Sequence, residues 1–273
     1  MAEARGILFT DLDGTLVGPD GVAERVWPAL ARLREAGVRV SVCTGRPGRG
    51  AAARYAQRAD PEGLHVFEAG AVVMRGTGEL VSARTLDPAH ATALAELAGH
   101  LGATLEAYTA DGRHLVRARD ALVRQHEALL GVEAEVVRWP PEAPVVRLLW
   151  MTPEDGWPAL ATASEAAMRL VSAHPARSPK MPGVRFVSMT APGVSKGSGI
   201  ADVLARLGLS RTHAAMAGDD LNDLDGFDAV DRTFAPTDAA PEVRARATSL
   251  IPPSAEGGVA EAAEDLLSRW APR

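Results

Sequence analysis

Two aspartates follow the first apolar run of the chain at a spacing that suits phosphoryl transfer. Asp11 and Asp13 come directly after residues 6–10, whose apolar pattern is typical of a buried strand. One carboxylate can attack phosphorus to form an acyl phosphate, while the other protonates the departing oxygen and then deprotonates water. The same string is also typical of a turn, with Asp11 as a cap and Asp13-Gly14 as the bend. The pair alone therefore leaves both interpretations open.

A second polar motif, Thr44-Gly45, follows the apolar run at residues 38–43. A hydroxyl and free backbone N–H groups at a strand end, with a helix opening beyond them, can bind phosphate oxygens through hydrogen bonds and helix polarity. The alternative is that Thr44 is only the N-cap of that helix. The motif therefore indicates a phosphate-binding loop only in combination with the others.

The third motif contains Lys196, one of two lysines among 29 basic residues. Lys196 opens the helix predicted at residues 197–207, where a cation meets the positive end of the helix dipole and is unfavourable. The position becomes favourable if an anion lies between the ammonium group and the helix. Lys196 is therefore predicted to bind phosphate, with a solvated surface lysine as the alternative.

The fourth motif is an acidic cluster at residues 218–223 that contains Asn222, the only asparagine of the chain. Clustered carboxylates repel one another unless a cation neutralises them, and hard oxygen ligands are those that Mg²⁺ prefers. Asp219 is the best metal ligand of this cluster. The alternative, a helix cap formed by Asp219 or Asp220, accounts for only one of its three acids.

Four apolar runs predict the strands of a parallel sheet, because helical patterns separate the first three. The strands are predicted at residues 6–10, 38–43, 65–67 and 213–217, and the helices at residues 24–35 and 48–58. Short right-handed connections favour a doubly wound, Rossmann-like α/β core. Ligands of such sheets bind beyond the carboxyl ends of the strands, so all four motifs are expected at one rim.

A second α/β unit interrupts this core. Asp111-Gly112 lies between two strand patterns and predicts a β-hairpin. The other predicted elements are strands at residues 145–151 and 184–190, a helix at residues 155–171 and, after the core resumes, helices at residues 197–207 and 258–270. We therefore predict a core at residues 1–84 and 188–273, interrupted by an inserted α/β unit at residues 85–187.

In their order, the four motifs resemble those of the haloacid dehalogenase superfamily. The resemblance rests on residues 11–16, Thr44, Lys196 and residues 218–223, and the insertion is similar to the α/β cap of the Cof-type branch, subfamily IIB. That branch includes sugar phosphatases and mannosyl-phosphoglycerate phosphatases. The resemblance implies a Mg²⁺-dependent phosphomonoester hydrolase that acts on a small phosphorylated metabolite through an aspartyl-phosphate intermediate.

The resemblance also implies a role for each motif residue. Asp11 is expected to be the nucleophile and Asp13 the general acid and base. The expected Mg²⁺ ligands are Asp11, Asp219 and the backbone carbonyl of Asp13. The alternatives are a phosphomutase of the same superfamily, a phospho-accepting receiver and a metabolite-binding protein. A receiver is disfavoured because its phospho-accepting aspartate follows the third strand, where this chain has Glu68.

The remaining motif residues are expected to position the phosphoryl group. Thr44, Gly45 and Lys196 would hold it directly by binding its oxygens. The residues expected to lie behind them, orienting Lys196 or metal-bound water, are Asp220, Asn222 and Asp223.

Two positions depart from the pattern of the superfamily. Residues 68–71 read Glu-Ala-Gly-Ala where relatives usually have Asn-Gly-Ala, and Ser188 stands near the position where many have glutamate. Both departures are expected to affect substrate recognition and not the four motifs. In the cap, Arg177, Lys180 and Arg185 are candidates for contacts with an anionic substrate, although solvated surface residues are the alternative.

Composition narrows the classes of partner. The net charge of −6, without a Lys/Arg-rich block, argues against nucleic-acid binding. No stretch reaches the about 18 apolar residues of a membrane span, and the first residues lack the pattern of a signal peptide, so a cytoplasmic protein is expected. The single cysteine, Cys43, ends an apolar run and is predicted to be a core residue. The oligomeric state stays open.

Overall fold

The computed structural model describes residues 4–178 and 180–270, which form two α/β units. The strands of this part of the chain are β1 (Gly6–Thr10), β2 (Val38–Val42), β3 (Leu64–Phe67), β4 (Val72–Arg75), β5 (Leu80–Ala83), β6 (Thr104–Thr109), β7 (His114–Val116), β8 (Glu135–Val136), β9 (Val145–Pro153), β10 (Ser172–Arg177), β11 (Val184–Thr190), β12 (Ala214–Ala217), β13 (Arg232–Pro236) and β14 (Ser249–Ile251). Its helices are α1 (Val26–Glu35), α2 (Gly50–Ala59), α3 (Pro88–Leu101), α4 (Ala121–Leu130), α5 (Trp157–Met168), α6 (Lys196–Leu207), α7 (Leu224–Asp228), α8 (Pro241–Arg246) and α9 (Gly258–Trp270).

The core sheet has the order β14-β13-β12-β1-β2, and all of its neighbouring strands are parallel. Successive residues of a strand point to opposite faces. Ile7 and Phe9 accordingly pack with Ile200 of α6 on one face, whereas Leu8 packs with Leu30 of α1 on the other. Helices cover both faces, which confirms the predicted doubly wound α/β core.

The third predicted strand has a different main partner from the expected one. Val66 of β3 makes a parallel bridge to Cys43 at the edge of the core sheet, but β3 pairs chiefly with β4 in an antiparallel sheet of order β3-β4-β5. The chain reverses between these strands because Glu68 and Ala69 adopt left-handed backbone conformations, with φ of 52° and 55°. The reversal sets a tight turn at the rim where the polar motifs lie.

The cap is built on a sheet of order β10-β11-β9-β6-β7-β8. Its neighbours are antiparallel except β7 and β8. Helices α3 and α5 cover one face, where Leu94 and Leu160 pack with Leu148 and Trp150. The side chains that alternate with these on β6, β9 and β11 point to the opposite face, which looks toward the core.

The return from the cap to the core comes later than the sequence predicts. The expected boundary between residues 187 and 188 lies inside β11, and β11 pairs with cap strands as far as Thr190. The chain therefore crosses back to the core after Thr190. Among the described residues, no helix is long and apolar enough to cross a membrane.

Gly70, in the turn after β3, holds that turn against the start of α6. Its φ is +100°, and a Cβ at this position would lie 1.8 Å from the backbone oxygen of Ser195. Any larger residue must therefore move the turn or the helix. Gly78 has a similar φ of +93° but faces open space.

We predict that Gly70→Ala lowers the free energy of unfolding much more than Gly78→Ala. The left-handed conformation costs alanine about 1 kcal/mol at either position, and the clash with Ser195 raises the total for Gly70→Ala to about 3 kcal/mol or more. Urea unfolding of both variants measures the difference. Equal losses would show that the turn and α6 are not tightly packed.

Candidate active site

The ammonium group of Lys196 joins three of the four motifs. Its Nζ donates hydrogen bonds to Asp11 Oδ1 at 2.8 Å, to Asp223 Oδ1 at 2.5 Å and to Asn222 Oδ1 at 3.1 Å. Asp11 follows β1, Lys196 begins α6, and the other two residues lie in the 3₁₀ turn after β12. All three donors of the ammonium have acceptors, so this buried cation is fully paired.

The structure explains why a lysine stands at a helix N-terminus. Ser195 and Ser198 form a capping box, in which each side chain accepts a hydrogen bond from the other residue's backbone N–H. The backbone N–H groups of Ser195 and Ser198 thereby have hydrogen-bond acceptors, and the carboxylates of Asp11 and Asp223 neutralise the charge of Lys196. Although burial alone would lower it, Asp11 and Asp223 raise the pKa of Lys196 well above its ordinary value. The lysine therefore stays a cation.

The loop after β1 lies against Asp219. Thr15 donates a hydrogen bond from Oγ1 to Asp219 Oδ1 at 2.6 Å. A Cβ on Gly14, whose φ is +86°, would lie 2.3 Å from Asp219 Oδ2, so only glycine lets the loop approach this closely. The loop thus holds the carboxylate of Asp219 near that of Asp11.

Burial of this acidic group disfavours its charged form. Burial raises the pKa of Asp11 to about 7, with Lys196 opposing the shift and Asp223 adding to it. Burial also raises the pKa of Asp219 to about 8, and the charges of Asp11 and Asp223 contribute. A cation bound between Asp11 and Asp219 would remove this penalty.

The arrangement of oxygen atoms fits Mg²⁺. One carboxylate oxygen from each of Asp11, Asp219 and Asp223 lies within 4.8 Å of the others. Asp223 is already occupied, because Oδ1 accepts from Lys196 and Oδ2 accepts from the backbone N–H groups of Asp219 and Asp220. No described backbone N–H donates to the carbonyl of Asp13. Asp11 Oδ2, Asp219 Oδ2 and the carbonyl oxygen of Asp13 remain as hard-oxygen atoms suited to Mg²⁺.

Thr44 and Gly45 lie at the same rim, and a neighbour of theirs has a contact that the sequence did not predict. Arg46 binds both oxygens of Asp13, with Nε donating to Oδ2 at 2.7 Å and Nη2 to Oδ1. Thr44 Oγ1 accepts from the backbone N–H of Arg46 at 3.2 Å. Arg46 directly follows the Thr44-Gly45 motif in the sequence. No local pattern, however, connects it with Asp13, which lies 33 residues away.

A cavity of about 180 Å³ lies between this rim and the cap. Its core lining includes every predicted catalytic, phosphate-binding and metal-binding residue: Asp11, Asp13, Thr44, Gly45, Lys196 and Asp219. Asp220 and Asn222 also line it. The structure therefore brings together the four motifs that the sequence predicts at one rim.

The three cap residues predicted as substrate contacts separate in the structure. Arg177 lines the cavity, whereas Lys180 and Arg185 do not. Arg177 and Arg185 are register partners on β10 and β11, not loop residues, and both pair with Glu154. Lys180 is exposed to solvent. Of the three, only Arg177 is placed to meet a ligand.

The two departures from the superfamily pattern meet at one arginine that sequence reasoning missed. Arg147 of β9 donates from Nε to Glu68 Oε2 at 2.6 Å and from Nη1 to Ser188 Oγ at 3.3 Å. The guanidinium carbon lies 4.0 Å from the ring centroid of Tyr108. Arg147 therefore links the cap to the turn after β3, at the edge of the cavity.

Comparison with known families assigns the chain to one of them. The sequence profile of the haloacid dehalogenase-like hydrolase family matches residues 8–132 and 175–262. The chain therefore belongs to the haloacid dehalogenase-like hydrolases, and the predicted family and enzyme class are confirmed. No curated protein matches the chain at a significant level.

Solved structures share the whole fold, including the cap. A haloacid dehalogenase-like hydrolase from Bacteroides thetaiotaomicron is 22% identical, with a TM-score of 0.79 over 96% of this chain and 99% of that one. A protein from Thermotoga maritima is 17% identical, with a TM-score of 0.80 over 95% and 97%. A subclass IIB sugar phosphatase of this superfamily is 18% identical, with a TM-score of 0.78 over 95% and 98%.

We predict that Mg²⁺ raises the unfolding temperature more at about pH 9 than at about pH 6. The pKa of Asp11 is raised to about 7 and that of Asp219 to about 8, so both hold protons at pH 6 that Mg²⁺ must displace. Both pKa values lie above the ordinary 3.8, so protonation of these carboxyls stabilises the metal-free protein at low pH. That stabilisation is lost as the pH rises through about 8.

Scanning calorimetry with excess Mg²⁺ or with EDTA, at both pH values, checks this prediction. Asp228→Asn is the control for a general charge effect, because Asp228 is an exposed acid paired with Arg246. The same Mg²⁺ shift at both pH values would mean that the carboxyls of Asp11 and Asp219 do not bind the ion.

Proposed function

We propose that this hydrolase is a Mg²⁺-dependent phosphatase that removes phosphate from a small phosphorylated metabolite through a phosphorylated Asp11. The observation that carries the proposal is the convergence on Asp11 of a fully paired lysine and a second, partly buried acid, Asp219. A carboxylate between a fixed cation and a metal-binding acid suits attack on phosphorus, because positive charge is already in place around the transferring group.

Asp11 is the proposed nucleophile. Its Oδ1 is held by Lys196, which fixes the direction of the carboxylate toward the cavity. In the first step an Asp11 oxygen bonds to phosphorus, the bond from phosphorus to the alcohol oxygen breaks, and Asp13 gives that oxygen a proton. In the second step water attacks phosphorus, Asp13 takes the proton of the water, and the bond to Asp11 breaks to release phosphate.

Mg²⁺ bound by Asp11, Asp219 and the carbonyl of Asp13 would offset the negative charge of the phosphoryl oxygens. The remaining oxygens are within reach of donors from the protein. Thr44 and the backbone of Gly45 line the cavity beside Asp11, and Lys196 completes the cradle. These groups orient the ester for in-line attack.

Arg46 must leave Asp13 before the reaction can begin. Both oxygens of Asp13 accept from Arg46, so Asp13 cannot donate a proton to a leaving group while the pair is closed. We expect the incoming phosphoryl group to draw Arg46 away from Asp13, since a dianion is a stronger partner for guanidinium than a single carboxylate. Asp13 is then free to act as acid and base.

The cap limits the substrate to a small molecule. The cavity is bounded by cap residues opposite Asp11, including Leu149 and Phe186, and this leaves space for a metabolite but not for a folded protein surface. Sugar phosphates are one candidate class, by analogy with the subclass IIB sugar phosphatase of the same fold. We further propose that the inserted unit, predicted at residues 85–187, acts as this substrate-selecting cap.

Asp11→Asn is expected to abolish hydrolysis of p-nitrophenyl phosphate in the presence of Mg²⁺. The amide is a poor nucleophile, so kcat should fall by at least about 10³-fold. Release of p-nitrophenol is the measurement, and Asp228→Asn, a surface acid outside the cavity, is the matched control. Undiminished activity of Asp11→Asn would contradict the proposal that Asp11 is the nucleophile. Release of inorganic phosphate in the same assay distinguishes a phosphatase from a phosphomutase.

Asp13→Ala and Asp219→Ala are expected to differ in their effects on Mg²⁺ affinity. Asp13 contributes only its backbone carbonyl to the metal, so Asp13→Ala should slow turnover by about 10²- to 10⁴-fold and leave Mg²⁺ affinity nearly unchanged. Asp219→Ala removes a carboxylate ligand and should lower the affinity strongly. Isothermal titration with Mg²⁺ compares the two, and equal losses of affinity would overturn the assignment of Asp13.

A further inference from the structure

The carboxylates that line the cavity are confined to the core. The described carboxylates of the lining, those of Asp11, Asp13, Asp219 and Asp220, all come from the core. The ionisable groups that the described part of the cap contributes are His126, Arg147 and Arg177. The cap end of the cavity therefore carries two arginines and a histidine, and no described cap carboxylate lines it.

This segregation bears on the chemistry of the leaving group. A neutral polyol offers both donors and acceptors, and it is bound best by a mixture of acids, amides and bases. Glu106, a carboxylate of the cap, pairs with His126 and does not line the cavity. A group that only accepts hydrogen bonds, such as a carboxylate or a phosphate, matches the cap end better.

Arg147 is built to bind such a group. Its side chain is buried, it rests on the ring of Tyr108, and Glu68 and Ser188 fix two of its nitrogens. No described residue accepts a hydrogen bond from Nη2. A guanidinium held on one side with free donors on the other matches the two oxygens of a carboxylate or phosphate.

His126 flanks this guanidinium from α4. Its Nδ1 lies 2.7 Å from Glu106 Oε2, and the same oxygen accepts a hydrogen bond from Tyr108 at 2.6 Å. Although burial alone would raise it, His126 and His114 hold the pKa of Glu106 well below its usual range. Glu106 is therefore an anion that fixes the ring of His126, leaving Nε2 without a hydrogen bond to any described residue.

Apolar side chains complete this end of the cavity. Leu129, Leu149 and Phe186 lie beside Arg147 and His126 in the lining. They keep water away from the guanidinium of Arg147, which strengthens its attraction to an anion. The cavity of about 180 Å³ then leaves room for only a short alcohol between the phosphoryl group and the second anion.

We propose that Arg147, flanked by His126, binds a second anionic group on the alcohol portion of the substrate, either a carboxylate or a second phosphate. This inference rests on the proposed phosphatase activity. The substrate class is then a phosphorylated hydroxy acid or a bisphosphate of a short alcohol, in preference to the phosphate of a neutral sugar.

Two matched substrate pairs test the proposal with the full-length protein and Mg²⁺. 3-Phosphoglycerate and glycerol 3-phosphate differ only in a carboxylate against a hydroxymethyl group, and 1,3-propanediol bisphosphate against 3-hydroxypropyl phosphate tests a second phosphate on a short alcohol. We expect kcat/KM for the anionic member of at least one pair to exceed that of its partner by about tenfold or more. The pair that responds identifies the anion. No preference in either pair would overturn the proposal.

Variants of Arg147 test whether this residue causes the preference for the anionic substrate. Arg147→Met is expected to reduce the ratio of kcat/KM within the responding pair to near one. Because that variant leaves Glu68 buried without a partner, the double variant Glu68→Gln/Arg147→Met tests the same point without a lone buried charge. Arg113→Met is the matched control, since Arg113 is a cap arginine paired with Glu135 outside the cavity, and it should keep the ratio. An unchanged ratio in the double variant would overturn the proposal.

Two parallel measurements separate failure of this inference from failure of the proposed function. Hydrolysis of p-nitrophenyl phosphate, which has no second anion, reports the phosphatase activity alone. Calorimetric binding of 3-phosphoglycerate and glycerol 3-phosphate to Asp11→Asn reports the subsite without turnover. Activity on p-nitrophenyl phosphate without any anion preference contradicts only the subsite, whereas preferential binding of the acid without hydrolysis supports the subsite and contradicts the phosphatase.

Discussion

The pairing of one buried ammonium with two buried carboxylates is the constraint on which the rest of the site depends. Lys196 lies between Asp11 and Asp223, which are 185 and 27 residues away in sequence. Removing the charge of Lys196 would leave two buried carboxylates without a cation, which is strongly destabilising. The capping of α6, the turn at Gly70 and the approach of Gly14 to Asp219 all serve to bring these segments together.

Each described lysine and arginine side chain that lines the cavity has a carboxylate partner before a substrate arrives. Lys196 is paired with carboxylates, Arg46 with Asp13, and Arg147 with Glu68. Binding of a phosphate ester therefore exchanges one set of ion pairs for another and does not fill an empty charged pocket. Such an exchange favours ligands that match several partners at once, because a ligand that satisfies only one of them leaves the others poorly solvated.

The parts of the fold that the sequence predicts well are those governed by local pattern. Buried parallel strands read as continuous apolar runs, so β1 and β2 were found almost to the residue. The edge strand β10 contains Pro175 and lacks alternation, and it was missed. The pairing of β3 with β4 depends on a turn at Glu68 and Ala69 that no turn signal marks. In the site, the contact between Arg147 and Glu68 joins residues 79 positions apart, and no local pattern reports such a contact.

The scarcity of lysine has a practical consequence for observing the molecule at work. Lys196 is buried and bound to carboxylates, while Lys180, the other lysine of the chain, is exposed on the cap. Among side chains, amine-reactive dyes will therefore attach selectively at Lys180 of the native protein. A fluorophore at Lys180 would report on movement of the cap relative to the core when ligand is added, without any engineered cysteine.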